Sequence, residues 1–297
     1  MPKTFLITYC GAENADSTLR EQLASSVQKF IALGRKRGFE VIVWNEQLIR
    51  QKIDNHQDIL KDYYPDYSDE CEIQGVRLNK QWLNAGLFLW KPSIIKHTLE
   101  KKLEEGDVLV YLDCNLNKFP CYRQLIDLGP EYFRAKLNKK SILLAVDKYR
   151  PLCRDVKYQV LSANLSQYQE CGRYLPGFWA GFMAIKKNKS SSSFISKWHK
   201  ICSIENLAPL PDVPVESRFE EYKWHSQEQS MLSVVYYQGS SRLRNKSVRF
   251  LFVPGRRVMS WNRLIVALKT LKIRLIFNII AVQKPWINKI VLKFCKF

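Results

Sequence analysis

Short apolar runs alternate with amphipathic stretches through most of this chain. Thr4-Phe5-Leu6-Ile7-Thr8-Tyr9 is too short for a helix and reads as a buried strand. Leu19, Leu23, Val27, Phe30, Ile31 and Gly34 then recur at helical spacing, and Asp16-Ser17-Thr18 precede them as capping residues. This predicts a helix from about Leu19 to Arg37, stopped by Gly38. Phe39 to Trp44 reads as a second strand. A strand-helix-strand opening of this kind predicts a parallel sheet.

Further along, residues 45–75 are polar and acidic, with Tyr63, Tyr64 and Tyr67 interleaved, and read as helix and loop. Their carboxylates lack the spacing of a calcium loop and suit a solvated face. Ile94 to Leu103 reads as a helix, turned by Gly106-Asp107 into a strand that ends at Asp113. Tyr122 to Leu128 and Pro130 to Leu137 read as short helices, and Ser141 to Val146 as a strand. Pro176-Gly177 reads as a turn before the apolar run Phe178 to Ile185. Ser190 to Ser193 then precede a helix containing Phe194, Ile195 and Trp198, as its expected cap. Pro209, Pro211 and Pro214 mark a loop. Ser226 to Tyr237 reads as a helix with Met231, Leu232, Val234 and Val235 inward. Residues 1–255 are thus expected to form one α/β domain.

The pattern changes in residues 256–297. Ile265, Leu268, Leu271, Leu275 and Ile279 recur at helical spacing among Arg263, Lys269, Lys272 and Arg274, and Pro285 breaks the series. Trp286, Ile287, Ile290, Val291, Leu292 and Phe294 resume it beside Lys289, Lys293 and Lys296. The longest uncharged run, Leu275 to Gln283, falls far short of the ~20 residues a membrane span requires. Two readings of this basic amphipathic helical tail stand: a segment lying on an anionic membrane surface, or helices packed on the domain with their lysines in water.

Composition sharpens the contrast. The 297 residues carry a formal charge of +19, and no Asp or Glu follows Glu228. Fourteen Lys and Arg lie beyond it, leaving +5 on residues 1–228. So one-sided a field attracts polyanions, whether nucleic acid, anionic lipid or a phosphorylated substrate. The basic stretch alternates with large aliphatic residues and matches no familiar nucleic-acid motif, so a nucleic-acid partner is not expected. Eight cysteines are scattered without a CxxC pair, which argues against a zinc knuckle and suits reduced thiols. The N-terminus lacks the apolar stretch of a secretory signal, and the expected location is cytoplasmic, with the tail as a peripheral contact on the membrane's inner face.

The residue pattern that points most directly to chemistry is GDVLVYLDCN, Gly106 to Asn115. A fully apolar strand ends on the carboxylate Asp113. Ligands of open α/β sheets bind outside the carboxyl ends of the strands. A carboxylate there can hold Mg²⁺ or Mn²⁺ beside a diphosphate. The plainer reading is a strand that has run out of core.

Leu87 to Asp113, LFLWKPSIIKHTLEKKLEEGDVLVYLD, is similar to a segment of bacterial and viral glycosyltransferase-like proteins, and GDVLVYLDCN resembles the strand-plus-DxD segment of GT-A-type glycosyltransferases. LPGFWAGFMAIKKNKSSSSFISKW, Leu175 to Trp198, resembles the sugar-pocket strand and following helix of that family, and SQEQSMLSVV, Ser226 to Val235, its Asp-Gln-Ser helix start. The resemblance covers about residues 4–255 in order. It implies a GT-A-like, Rossmann-type, mostly parallel sheet flanked by helices. It also implies a nucleotide-diphospho-sugar donor and a glycan or lipid-linked acceptor.

By the same resemblance, Thr8 and Tyr9 would meet the nucleotide and Lys91 the diphosphate. Asp113 and Asn115 would hold Mn²⁺ or Mg²⁺. Gly177, Trp179, Ala180, Gly181 and Gln229 would form the sugar and acceptor wall, and Glu228 would be the general base. The family's second acid is Asn115 here, an uncharged ligand, which weakens the implied metal site. Bland alternatives stand beside three of these roles: a surface lysine for Lys91, core packing for Trp179, and a carboxylate facing its helix dipole for Glu228.

Overall fold

The computed structural model describes residues 2–11, 17–61, 70–73, 76–79, 86–114, 116, 120–156, 158–165, 175–203, 227–239 and 248–252. The expected proline loop and basic tail, and Asn115, lie outside them. Thr4–Tyr9 (β1) leads into helix Ser17–Lys36 (α1) and strand Glu40–Trp44 (β2). Gly38 ends α1 at φ +86°, a conformation that glycine adopts without strain. Two short helices follow, Glu46–Lys52 (α2) and His56–Leu60 (α3). After them Glu70–Ile73 (β3) and Val76–Asn79 (β4) form an antiparallel hairpin. Helix and loop were expected here. A two-residue connection ending in glycine is a hairpin signal that the acidic composition had obscured.

Helix Trp90–Lys101 (α4) begins four residues earlier than its apolar pattern suggests, with Pro92 in its first turn, where no intrahelical N–H is needed. Gly106 turns the chain at φ +92°. Buried Asp107 then fixes the entry to Val108–Leu112 (β5), accepting from Lys3 N at 2.7 Å and Glu104 N at 2.9 Å. Helices Pro120–Asp127 (α5) and Gly129–Leu137 (α6) precede Ile142–Pro151 (β6), which runs past its expected end at Val146. Leu152–Asp155 (α7) and Tyr158–Asn164 (α8) follow.

Strand Pro176–Lys186 (β7) takes in Pro176-Gly177, which had read as a turn; proline is tolerated as the first strand residue, and Gly177 pairs with Asp147. Helix Lys189–Ile201 (α9) is capped by Asn188 and not by the serine run. Asn188 Oδ1 accepts from Ser191 N at 3.0 Å, and Asn188 N donates to Ser191 Oγ at 3.0 Å. Gln227–Gln238 (α10) buries Met231, Leu232, Val234 and Val235 as expected. Val248–Phe252 (β8) was not anticipated.

Six strands form one sheet in the order β2-β1-β5-β7-β6-β8. All are parallel except β7, which runs against both of its neighbours. Helices cover both faces, so β5 is apolar at every position and wholly buried. One core joins Phe5, Ile7, Leu109 and Tyr111 to α4, α9 and α10. The other joins Leu6, Val108, Val110 and Leu112 to Phe30, Ile126 and Phe133. Among the described residues no helix is long and apolar enough to cross a membrane.

Candidate functional site

From β1 the chain first moves outward to β2 and later returns to place β5 on the other side. The carboxyl ends of β1 and β5 therefore flank a switch point, where an open α/β sheet leaves a crevice. Tyr9 closes β1 and Asp113 follows β5. The reversed β7 brings its own beginning to the same edge, and Asp113 N donates to Gly181 O at 3.1 Å.

At this edge the structure gathers three charged residues from distant parts of the chain. Lys91 Nζ, in the first turn of α4, donates to Glu228 Oε1 at 2.7 Å and lies 3.6 Å from Asp113 Oδ1. Its side chain is 5% exposed and that of Glu228 7%, whereas Asp113 keeps 34%. Of the three, Asp113 is the one that faces outward. Tyr111, two residues back on the same strand face, donates its hydroxyl to Asp113 Oδ1, and Tyr122 of α5 donates to Oδ2 at 3.1 Å. The Lys91 ammonium also sits 5.5 Å from the Phe88 ring, 5.4 Å from Trp90 and 5.5 Å from Tyr111, within cation–π range.

Burial opposes the Lys91 charge, but Asp113 and Glu228 together outweigh it, and its pKa is raised. Glu228 is also raised, because burial exceeds the attraction of Lys91. Burial likewise pushes the Tyr111 phenol well up, with Asp113 adding to it, so Tyr111 stays a donor. The backbone bends to make this arrangement. Leu87, Phe88 and Gln227 have φ of 50°, 60° and 32°, and they flank Lys91 and Glu228. Left-handed non-glycine residues cost about 1–3 kcal/mol each and gather at sites that the surrounding packing over-determines.

The remaining expected residues divide. Tyr9 stacks on Trp90 with ring centroids 4.0 Å apart at 25°, lining the crevice. Thr8 points to the opposite face of β1, fully buried beside the Cys114 thiol. Trp179 stacks on Tyr122 at 5.1 Å and 11°, which links it to Asp113. A Cβ on Gly181 would lie 2.5 Å from Trp179 Cε2 and 2.6 Å from Tyr122 Oη, so the stack needs glycine there. Gln229 is engaged internally: its Oε1 accepts from Ala180 N at 3.2 Å, tying α10 to β7. Gly177 is four positions up the strand from Gly181, about 13 Å away at extended rise, and does not join the cluster.

Sequence reasoning missed Tyr111, Tyr122, Phe88 and Trp90. The alternation of β5 was a usable signal for Tyr111, which shares a face with Asp113; nothing local marked Tyr122.

A divalent cation at Asp113 would meet a carboxylate whose two oxygens already accept from phenols, with an ammonium 3.6 Å from one of them. Among the described residues no group of three His, Cys, Asp or Glu converges. Of the two expected ligands the described residues place Asp113, whose two oxygens each keep a further lone pair beyond the phenol they accept from. Asn115, the expected second ligand, lies outside them. No protein-family model matches this chain, and no curated protein is significantly similar to it.

Proposed function

We propose that this protein is a glycosyltransferase of GT-A type. It would move a sugar from a nucleotide-diphosphate donor to a glycan or lipid-linked acceptor in cell-surface glycan synthesis. The observation that carries the reading is the convergence of Asp113, Lys91 and Glu228 at the β1/β5 switch point, between the Tyr9–Trp90 and Tyr122–Trp179 stacks. Two carboxylates against one ammonium suit the hydroxyls of a sugar or ribose. The aromatic pairs supply apolar faces for a base and for sugar C–H groups.

In this reading Asp113 meets the ligand, held by the phenols of Tyr111 and Tyr122. Lys91 brings a buried positive charge to within reach of the donor phosphates. Glu228 orients Lys91, and its raised pKa suits it to accept the acceptor's proton once the phosphates draw the ammonium away. Residues 256–297 would hold the enzyme on an anionic membrane surface, near lipid-linked acceptors.

A panel of nucleotide sugars, each with Mn²⁺ and with a chelator, tests the reading by thermal shift and by release of nucleotide. At least one donor is expected to raise Tm and to be turned over. Asp113→Ala is expected to abolish turnover with circular dichroism unchanged. No stabilisation by any donor, or wild-type turnover in Asp113→Ala, would remove the assignment. A second reading, a sugar-nucleotide binder without turnover, is favoured by the engagement of Glu228 with Lys91 at 2.7 Å. It predicts stabilisation with no nucleotide released.

A further inference from the structure

Two cysteines meet at the same crevice, on the face opposite Asp113. β1 and β5 run in parallel register with Thr4 beside Val108, Phe5 beside Leu109, Leu6 beside Val110 and Ile7 beside Tyr111. The same offset carried past the strand ends sets Cys10 beside Cys114. Neighbouring strands lie ~4.8 Å apart, inside the ~4.4–6.8 Å between Cα atoms that a disulfide spans. Side-chain alternation puts both cysteines on the face of Leu6 and Leu112, where both belong to or pack against one apolar core. Cys114 Sγ donates to Tyr9 O at 3.5 Å, the carbonyl of the peptide that enters Cys10.

The environments of the pair differ in a chemically useful way. Cys10 is part-exposed and Cys114 is buried. The neighbouring Cys114 side chain draws the Cys10 thiol below the ordinary thiol value, against burial and the Glu46 carboxylate. Ser26 Oγ donates to Cys114 O at 2.6 Å and accepts from Leu116 N at 3.2 Å, so α1 holds the resolving residue in place.

We infer that Cys10 and Cys114 form a redox-reactive pair that closes to an intramolecular disulfide across the β1/β5 crevice. With hydrogen peroxide as oxidant, the Cys10 thiolate attacks one peroxide oxygen, giving a sulfenic acid and releasing hydroxide. The Cys114 sulfur then displaces the sulfenic oxygen as water, to which its own proton passes. Two thiols are oxidised and one peroxide is reduced to two waters. The new bond ties the residues flanking Tyr9 and Asp113 and removes the S–H donor from Tyr9 O, so oxidation reaches the candidate site through the backbone. This does not depend on the sugar-transfer reading.

The full-length chain, fully reduced and then treated with hydrogen peroxide, tests the inference by thiol titration and by peptide mapping without reductant. Two of the eight thiols are expected to disappear, with Cys10 and Cys114 peptides joined and dithiothreitol restoring both. Cys10→Ser is expected to abolish the loss at Cys114. Cys114→Ser is expected to leave Cys10 as a sulfenic acid that dimedone traps. Should Cys114→Ser fail to fold, the wild-type map and Cys10→Ser decide. Cys10 joined to Cys121, a bond between two chains, or Cys10 oxidised with Cys114 still free would each overturn the inference.

Discussion

Removing the Lys91 ammonium would leave the Glu228 carboxylate buried with its donor gone. Breaking a buried pair from one side costs about 3–5 kcal/mol, while replacing both partners is often near neutral. Lys91→Met is therefore expected to lower stability by about 3 kcal/mol in urea unfolding. Adding Glu228→Gln is expected to restore much of the loss, and simple additivity of the two changes would show that the pair is not coupled. The pH dependence follows from the raised Glu228. A carboxyl raised in the folded state keeps its proton where the unfolded chain has released it. The stability it contributes is complete below the ordinary value of 4.5 and is lost as pH rises through the folded value. Wild type is expected to weaken relative to Glu228→Gln as pH climbs through that window, and a flat difference would count against the raised carboxyl.

At the scale of elements, α9 depends on its cap. Asn188 satisfies Ser191 N and also donates to Ser141 Oγ at 2.7 Å, joining the helix start to the entry of β6. Asn188→Ala is expected to cost about 1 kcal/mol or more, read as a lowered Tm, with an unchanged Tm refuting the role. Elements with strong periodicity were legible: α1, β5 and α10 stand where their apolar patterns put them. Those set by pairing across the sheet were not. β8 is a strand because β6 offers it an edge, and Pro176-Gly177 is extended because β6 holds it; neither is a local property of the sequence. The site divides the same way. Asp113 was visible locally as an acid closing an apolar strand, whereas Lys91 and Glu228 were singled out through the family resemblance. The phenol of Tyr122 and the Tyr9–Trp90 stack are not visible locally, since the fold alone brings α5 over the end of β5 and α4 beside β1.

For the whole molecule, the uneven charge gives a separate test of the proposed membrane contact. Fourteen Lys and Arg beyond Glu228 face no acid in that stretch. Polybasic segments gain about 1 kcal/mol per basic residue at an anionic surface, and salt screens the attraction. Full-length protein is expected to sediment with phosphatidylserine vesicles and to be released by high salt. Removal of residues 256–297 is expected to abolish sedimentation while the donor-induced thermal shift persists. Sedimentation unaffected by that deletion would place the contact elsewhere.

The reversed strand also sets a problem of timing. β7 is the one strand joining β2-β1-β5 to β6-β8. A ribosome delivers β6 before it, so β6 must wait one place away from β5 and leave a slot for a strand not yet made. Until Pro176–Lys186 emerges, β5 and the apolar first half of β6, Ile142 to Val146, lack the strand that pairs with both. Nascent chains halted between β6 and β7 should be the form most prone to mispairing and aggregation, and the form a chaperone would bind most tightly.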